Sequence, residues 1–266
     1  MVTLAQGTNL QPAVESPGAR PVFLDLPFDR FSLEQTLSAL LAVPPGERFR
    51  YLVTPNVDHM LRITQRPEIA QLYREAWLCI NDSRVLNLLA RSHGIDLPAV
   101  PGSDLVAALL THPDFDKTMP VLIVGGNEGL VAQVCTRTGL KRVKQIRPPM
   151  GLSRNPAALA ATVEAIEAEA ARFVILAVGS PQQEMLANAL ARRGRTHGVG
   201  LCIGAGLDFL VGERLRAPGL MRAAHLEWLF RLACEPTRLA KRYLVDGPKI
   251  FRIVWDRRPA RWERAS

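Results

Sequence analysis

Short continuous apolar runs alternate with amphipathic stretches along most of this chain. The runs at residues 49–53, 77–80, 121–124, 173–178 and 199–203 are dominated by Val, Ile, Leu and Phe and end in polar or glycine turns. Such runs predict strands buried on both faces of a parallel sheet. Residues 142–146 add a further strand, and residues 21–27 read as a short edge strand. Between them the apolar spacing predicts helices: 32–41 with Ser32 as cap, 67–76, 102–110, 155–172 and 182–190. Pro181, just ahead of the last of these, reads as a helix start. Strand and helix in alternation imply an α/β fold, a Rossmann-like, mostly parallel sheet flanked by helices.

In an open sheet of this kind ligands bind beyond the carboxyl ends of the strands. Those ends carry Thr54, Asn56 and Asp58; Asn81-Asp82-Ser83; Gly125-Gly126-Asn127-Glu128-Gly129; Gly179-Ser180-Pro181; and Gly204-Ala205-Gly206. Five such turns on one edge point to a site. Asp82, between a strand and a helix start, is either a catalytic residue or an N-cap. Asn56 and Asp58 are either polar site residues or helix caps. Gly125 and Gly126 would admit a phosphate to the next helix's amides, or simply form a turn, since they match neither a dinucleotide fingerprint nor a Walker A loop. Gln183 and Glu184, in the helix start after Pro181, are polar candidates on the same edge.

Size and composition fit a soluble globular chain: 266 residues, 48% hydrophobic and 22% charged. No apolar run approaches the roughly 20 residues of a bilayer span. The start lacks a signal-peptide layout, so a cytoplasmic protein is expected. Residues 1–20 read as a flexible tail, 21–210 as the α/β catalytic domain and 211–266 as an appendage. Cys79, Cys135, Cys202 and Cys234 have no Cys-x-x-Cys pair, and the five histidines are scattered, so neither a disulfide framework nor a metal site is expected. The net charge of +8 is concentrated at the end: Gly219 to Ser266 hold eleven Arg and Lys against five Asp and Glu. Trp228, Phe230, Phe251, Trp255 and Trp262 lie among them. That mixture suits an anionic membrane surface, although its charge would also attract nucleic acid. Residues 226–242 predict a helical region interrupted at Pro236, and Pro248 starts the last helix.

Over roughly residues 21–254 the chain resembles the WecG/TagA/CpsF group, glycosyltransferase family 26. The resemblance rests on Thr54-Pro55-Asn56 with Asp58, Asp82, Gly125-Gly126, Gly179-Ser180-Pro181-Gln182-Gln183-Glu184, Gly204-Ala205 and Arg216-Ala217-Pro218. It continues through Leu226 to Leu232, Glu235 to Arg238, and Arg242-Tyr243. It implies metal-independent, inverting transfer from a UDP-sugar to a polyprenyl-diphosphate-linked saccharide. The place implied is the inner face of the bacterial cytoplasmic membrane, during cell-surface polysaccharide synthesis. No cofactor and no nucleic acid are expected; self-association is left open. The resemblance makes Asp82 the base, with Thr54, Asn56 and Gln183 positioning the substrates. Gly125, Gly126, Gly179, Pro181, Gly204 and Ala205 would line the binding wall, with Glu184 ordering its turn. Arg231, Arg238 and Arg242 would meet the departing diphosphate, sharing one helix face if the helix runs past Pro236. The appendage would complete the site and dock on the membrane.

Two positions depart from the family pattern: Ser83 stands where glycine is usual after the aspartate, and Gln182 where lysine is usual. The competing readings are a non-catalytic membrane-associated scaffold and a nucleotide-dependent oxidoreductase. The latter lacks the glycine fingerprint.

Overall fold

The computed structural model describes residues 20–212, 221, 227–234, 236–240, 244–245 and 247–256. The predicted N-terminal tail and much of the appendage lie outside them.

Six parallel strands form one sheet: β3 (Arg50–Val53), β4 (Leu78–Cys79), β5 (Val121–Gly125), β6 (Val143–Ile146), β7 (Phe173–Ala177) and β8 (Val199–Cys202), in the order β4-β3-β8-β7-β5-β6. The register is continuous across the sheet, with Cys79, Val53, Cys202, Leu176 and Val124 at one level. The residues that follow therefore share one carboxyl edge. Alternate side chains go to opposite faces, as the period of a strand requires. Tyr51, Val53, Val174 and Leu176 join one apolar cluster, while Leu52, Phe173, Ile175 and Leu201 join the other.

Helices cover both faces, which is why the strands read as unbroken apolar runs. Against the first pack α2 (Val57–Gln65), α3 (Pro67–Arg74), α4 (Arg84–Arg91), α7 (Pro156–Glu167) and α8 (Gln182–Arg193). Against the second pack α1 (Leu33–Ala42), α5 (Gly102–Thr111), α6 (Leu130–Thr138) and α9 (Gly206–Val211). Local chemistry places the helix starts. Ser32 caps α1 in a reciprocal box with Gln35, and the Asn155 side chain accepts from Ala158 N to cap α7.

Residues 21–27 depart from the edge strand expected of them. They form a separate hairpin of β1 (Val22–Phe23) and β2 (Leu26–Pro27), with Leu24 and Asp25 both at positive φ. Two consecutive left-handed residues make a two-residue turn, so the segment pairs with itself. The sheet edge is met instead by Asp29, whose N–H donates to Cys79 O and whose Oδ2 accepts from Cys79 N at 2.8 Å.

Beyond Val211, the described segments include helices α10 (Glu227–Cys234) and α11 (Pro236–Ala240). Glu235 between them, and with it the continuity on which a shared face of Arg231 and Arg238 depends, lies outside the described residues. Their side chains and all of Arg242 lie outside the description. The last helix, α12 (Lys249–Asp256), buries Ile250 and Val254 in the cluster that holds Met60, Leu61 and Ile63 of α2. Its other side exposes Phe251 and Trp255. Among the described residues no helix is long and apolar enough to cross a membrane.

Candidate active site

Asp82 follows β4 at the carboxyl edge, beside the end of β3. Its carboxylate is held from two sides: Oδ2 accepts from Asn56 Nδ2 at 3.1 Å, and Oδ1 from the backbone N–H of Gly102 at 2.7 Å. Asp82 N donates to Pro55 O, tying the two strand ends together. The cap of the following helix, α4, is Ser83, whose Oγ accepts from Leu86 N. Asp82 sits instead at the first amide of α5, where the helix dipole favours a negative charge. Ser83 has φ −121° and ψ 121°, ordinary extended backbone that requires no glycine. Ser83 thus supplies a cap at a position whose backbone needs no glycine.

Asn56 serves two ends. Its Oδ1 accepts from Asp58 N and His59 N and so caps α2, while its Nδ2 reaches Asp82. His59 Nδ1 accepts in return from Asn56 N, which fixes the turn from both sides. Thr54 donates its hydroxyl proton to Cys202 O at 3.1 Å, stitching the end of β3 to that of β8. Gly102 packs close by: a Cβ there would lie 3.0 Å from Thr54 Oγ1.

Three residues of this arrangement, Gly102, Asn81 and Arg62, are not among the sequence candidates. Asn81 is buried; its Nδ2 donates to Leu97 O, its Oδ1 accepts from Ser83 N, and its carbonyl accepts from Val100 N. It shapes the loop that brings Gly102 to Asp82. Arg62 donates to Ser180 O and to Asp58 Oδ2, clasping the turn after β7. The polar triplet Asn81-Asp82-Ser83, the helix-opening Pro101-Gly102 and the Asp58–Arg62 spacing of four were the available signals.

The turn after β7 holds Gly179 at φ 77° and a cis Ser180–Pro181 bond. Pro181 precedes α8 as its N-cap. Gln183 and Glu184 lie in the first turn of α8, only 2% and 1% exposed. Gln183 was expected to contact substrate, yet its amide is bonded internally at both ends. Oε1 accepts from Gly204 N at 2.9 Å and Nε2 donates to Glu184 Oε1 at 2.8 Å. Gly204 and Ala205 form the turn into α9. Burial pushes the Glu184 carboxyl above its ordinary value, against Gln183 and the Ser180 and Tyr73 hydroxyls, which pull it down. Burial likewise raises Tyr73, whose hydroxyl lies 3.1 Å from Ser180 Oγ.

Two strands beyond β8, Gly125 and Gly126 continue the edge at φ 103° and 79°. Gln145 Nε2 donates to the carbonyls of Gly125 and Asn127 and holds this turn. Gln182, where the family pattern has lysine, donates to Val178 O. Among the described residues no three His, Cys, Asp or Glu side chains are grouped to hold a metal ion.

The arrangement is a carboxylate that Asn56 and Gly102 help to orient, on a sheet edge bordered by glycine turns. A sequence model described as the "Glycosyl transferase WecG/TagA/CpsF family" matches residues 21–264. The chain belongs to this family. For a WecG/TagA/CpsF glycosyltransferase, a sugar donor and an acceptor are the substrates to be accommodated, and the match includes the α/β sheet with Asp82, Asn56 and Thr54 on its edge.

Proposed function

We propose that this protein is an inverting, metal-independent transferase that moves a sugar from a UDP-sugar to a polyprenyl-diphosphate-linked saccharide at the inner membrane face. The observation that carries the reading is the Asp82 carboxylate, held between Asn56 Nδ2 and Gly102 N at the carboxyl edge. A carboxylate oriented in this way suits a general base. The acceptor hydroxyl oxygen attacks the anomeric carbon while Asp82 takes its proton. The bond from that carbon to the UDP oxygen breaks, and UDP leaves with the electron pair. Displacement from the opposite face inverts the anomeric centre.

Asn56 orients the base, Thr54 borders it, and the turns at Gly125, Gly179 and Gly204 admit the nucleotide. Arg231, Arg238 and Arg242 remain the candidates for the diphosphate charge. Phe251 and Trp255, four residues apart and exposed on α12 beside the exposed Arg252, support docking on an anionic surface.

The test is Asp82→Asn, assayed with a panel of UDP-sugars and a short-chain lipid-diphosphate acceptor, with product mass as readout. Turnover should fall by about 100-fold or more, within the range that general-base catalysis supplies. Wild-type turnover in a folded variant rules out Asp82 as the base, and no turnover of any UDP-sugar by the wild type favours the scaffold reading. Phe251→Ala with Trp255→Ala should weaken sedimentation with anionic vesicles; unchanged sedimentation removes α12 from the docking surface.

A further inference from the structure

Gln183 and Glu184 are polar residues in a buried position that the transfer mechanism does not use directly. Glu184 Oε1 accepts from Gln183 Nε2, and Glu184 Oε2 makes no hydrogen bond of its own. Buried as it is, the carboxyl holds the neighbouring amide through the oxygen that accepts from it. The orientation it enforces turns Gln183 Oε1 toward Gly204 N.

The chain of contacts continues to the base. Gly204, at φ 54°, opens the turn that leads to Gly206. Gly206 lies so close to the start of α5 that a Cβ on it would stand 3.3 Å from Ser103 Cα and 3.4 Å from Gly102 O. Ile203, one residue before Gly204, would stand 3.5 Å from a Cβ on Gly102. The Gly102 N–H is the donor to Asp82 Oδ1. The links from Glu184 to Gln183, from Gln183 to Gly204 and from Gly102 to Asp82 are hydrogen bonds, and the β8–α9 turn meets the start of α5 by close packing that leaves little room for a side chain at Gly206 or Gly102.

We propose that Glu184 and Gln183 are positioning residues acting in series, setting the place of Asp82 through the β8–α9 turn and the first residue of α5. This rests on the assignment of Asp82 as the base, but its structural half can be read without turnover. The pair lies at the first turn of α8 and reaches the base only through intervening backbone. Small displacements of a catalytic group carry large rate penalties, on the order of 100-fold for about 1 Å.

The test uses Glu184→Met and Gln183→Met, which keep volume but remove the bonds, together with Glu184→Gln, which keeps the acceptor. Thermal melts first establish folding. If Glu184→Met does not fold, Gln183→Met carries the exchange measurement alone. Each Met variant should accelerate amide hydrogen exchange at Gly204 and lower kcat by about 10- to 100-fold. The donor KM should stay within about threefold, using UDP-N-acetylmannosamine and a short-chain lipid-diphosphate acceptor. Glu184→Gln should restore both readouts. The double Met variant should be no more than about threefold slower than the slower single variant, because elements in series do not add. Unchanged Gly204 exchange in Gln183→Met overturns the proposal whatever the activity. A raised KM with unchanged kcat overturns it as well and makes Gln183 a direct substrate contact. If the wild type turns over no UDP-sugar of the panel while Gly204 exchange responds, the structural link stands and the transferase reading on which the rate effects rest fails.

Discussion

Replacing Asn56 with aspartate separates its two jobs. In Asn56→Asp the side chain still accepts from Asp58 N and His59 N, so α2 keeps its cap. The end that donated to Asp82 Oδ2 at 3.1 Å becomes a second carboxylate oxygen. Two unit charges at that separation repel by about 5 kcal/mol at an effective dielectric near 20. Both residues are half-buried, so solvent reduces this, but a coupling of more than about one pH unit remains and the pair holds its last proton to higher pH than one carboxylate would. The acid limb of the kcat profile should therefore move up by about one to three pH units. Asn56→Ala loses the cap as well, costing about 1 kcal/mol of stability, without introducing the repulsion. The assay is kcat against pH for both variants beside thermal melts. A wild-type profile for a folded Asn56→Asp would refute the coupling of Asn56 to Asp82 as the proposed base.

Gly125→Ala tests the tight turn after β5: at φ 103° an added Cβ would stand 2.8 Å from Ala177 O, which is backbone and cannot rotate away. Strain of about 1–2 kcal/mol and a forced shift costing about 1–3 kcal/mol should together lower Tm by roughly 5–15 °C, measured by calorimetry. Glu75 tests acid stability. Its bonds from Arg192, then Asn188 and Gln71, hold the carboxyl down from 4.5 to about 2. Because the folded value lies below the unfolded one, this stabilisation is complete above about pH 4.5 and is lost as pH falls toward 2. Glu75→Gln should flatten the stability curve in that window and cost about 1 kcal/mol at neutral pH, the scale of a solvent-screened pair; parallel curves for the two proteins would exclude the linkage.

The strands were legible because a strand buried on both faces leaves a continuous apolar run, and their polar ends marked the edge where Asp82, Asn56 and Thr54 meet. Strand order was not legible. The Thr54–Cys202 bond joins residues 148 apart, and Gly102 reaches Asp82 across 20 residues. Neither contact has a local signature. The hairpin at Leu24-Asp25 was missed because its left-handed turn carries no glycine or asparagine. Gln183 read as an accessible polar residue at a helix start because burial in a first turn depends on what packs over it. Here both ends of the amide find partners, Gly204 and Glu184, that only the folded chain supplies.

What joins these details is that helix capping and site construction use the same atoms. Asn56 caps α2 and holds the Asp82 carboxylate; Asp82 lies at the first amide of α5; Ser83 caps α4, and Asn56 and Gly102 donate to the Asp82 carboxylate. Three helix starts converge on one carboxylate, each helix anchored in the core through residues such as Met60, Leu86 and Leu105. Helices anchored in this way fix the backbone around the carboxylate, as the preorganisation asked of the proposed base requires. The same sharing couples stability to activity, so a loss of turnover at Asn56 or Ser83 has two physical origins. Only substitutions that keep the cap while altering the contact, as Asn56→Asp does, tell them apart.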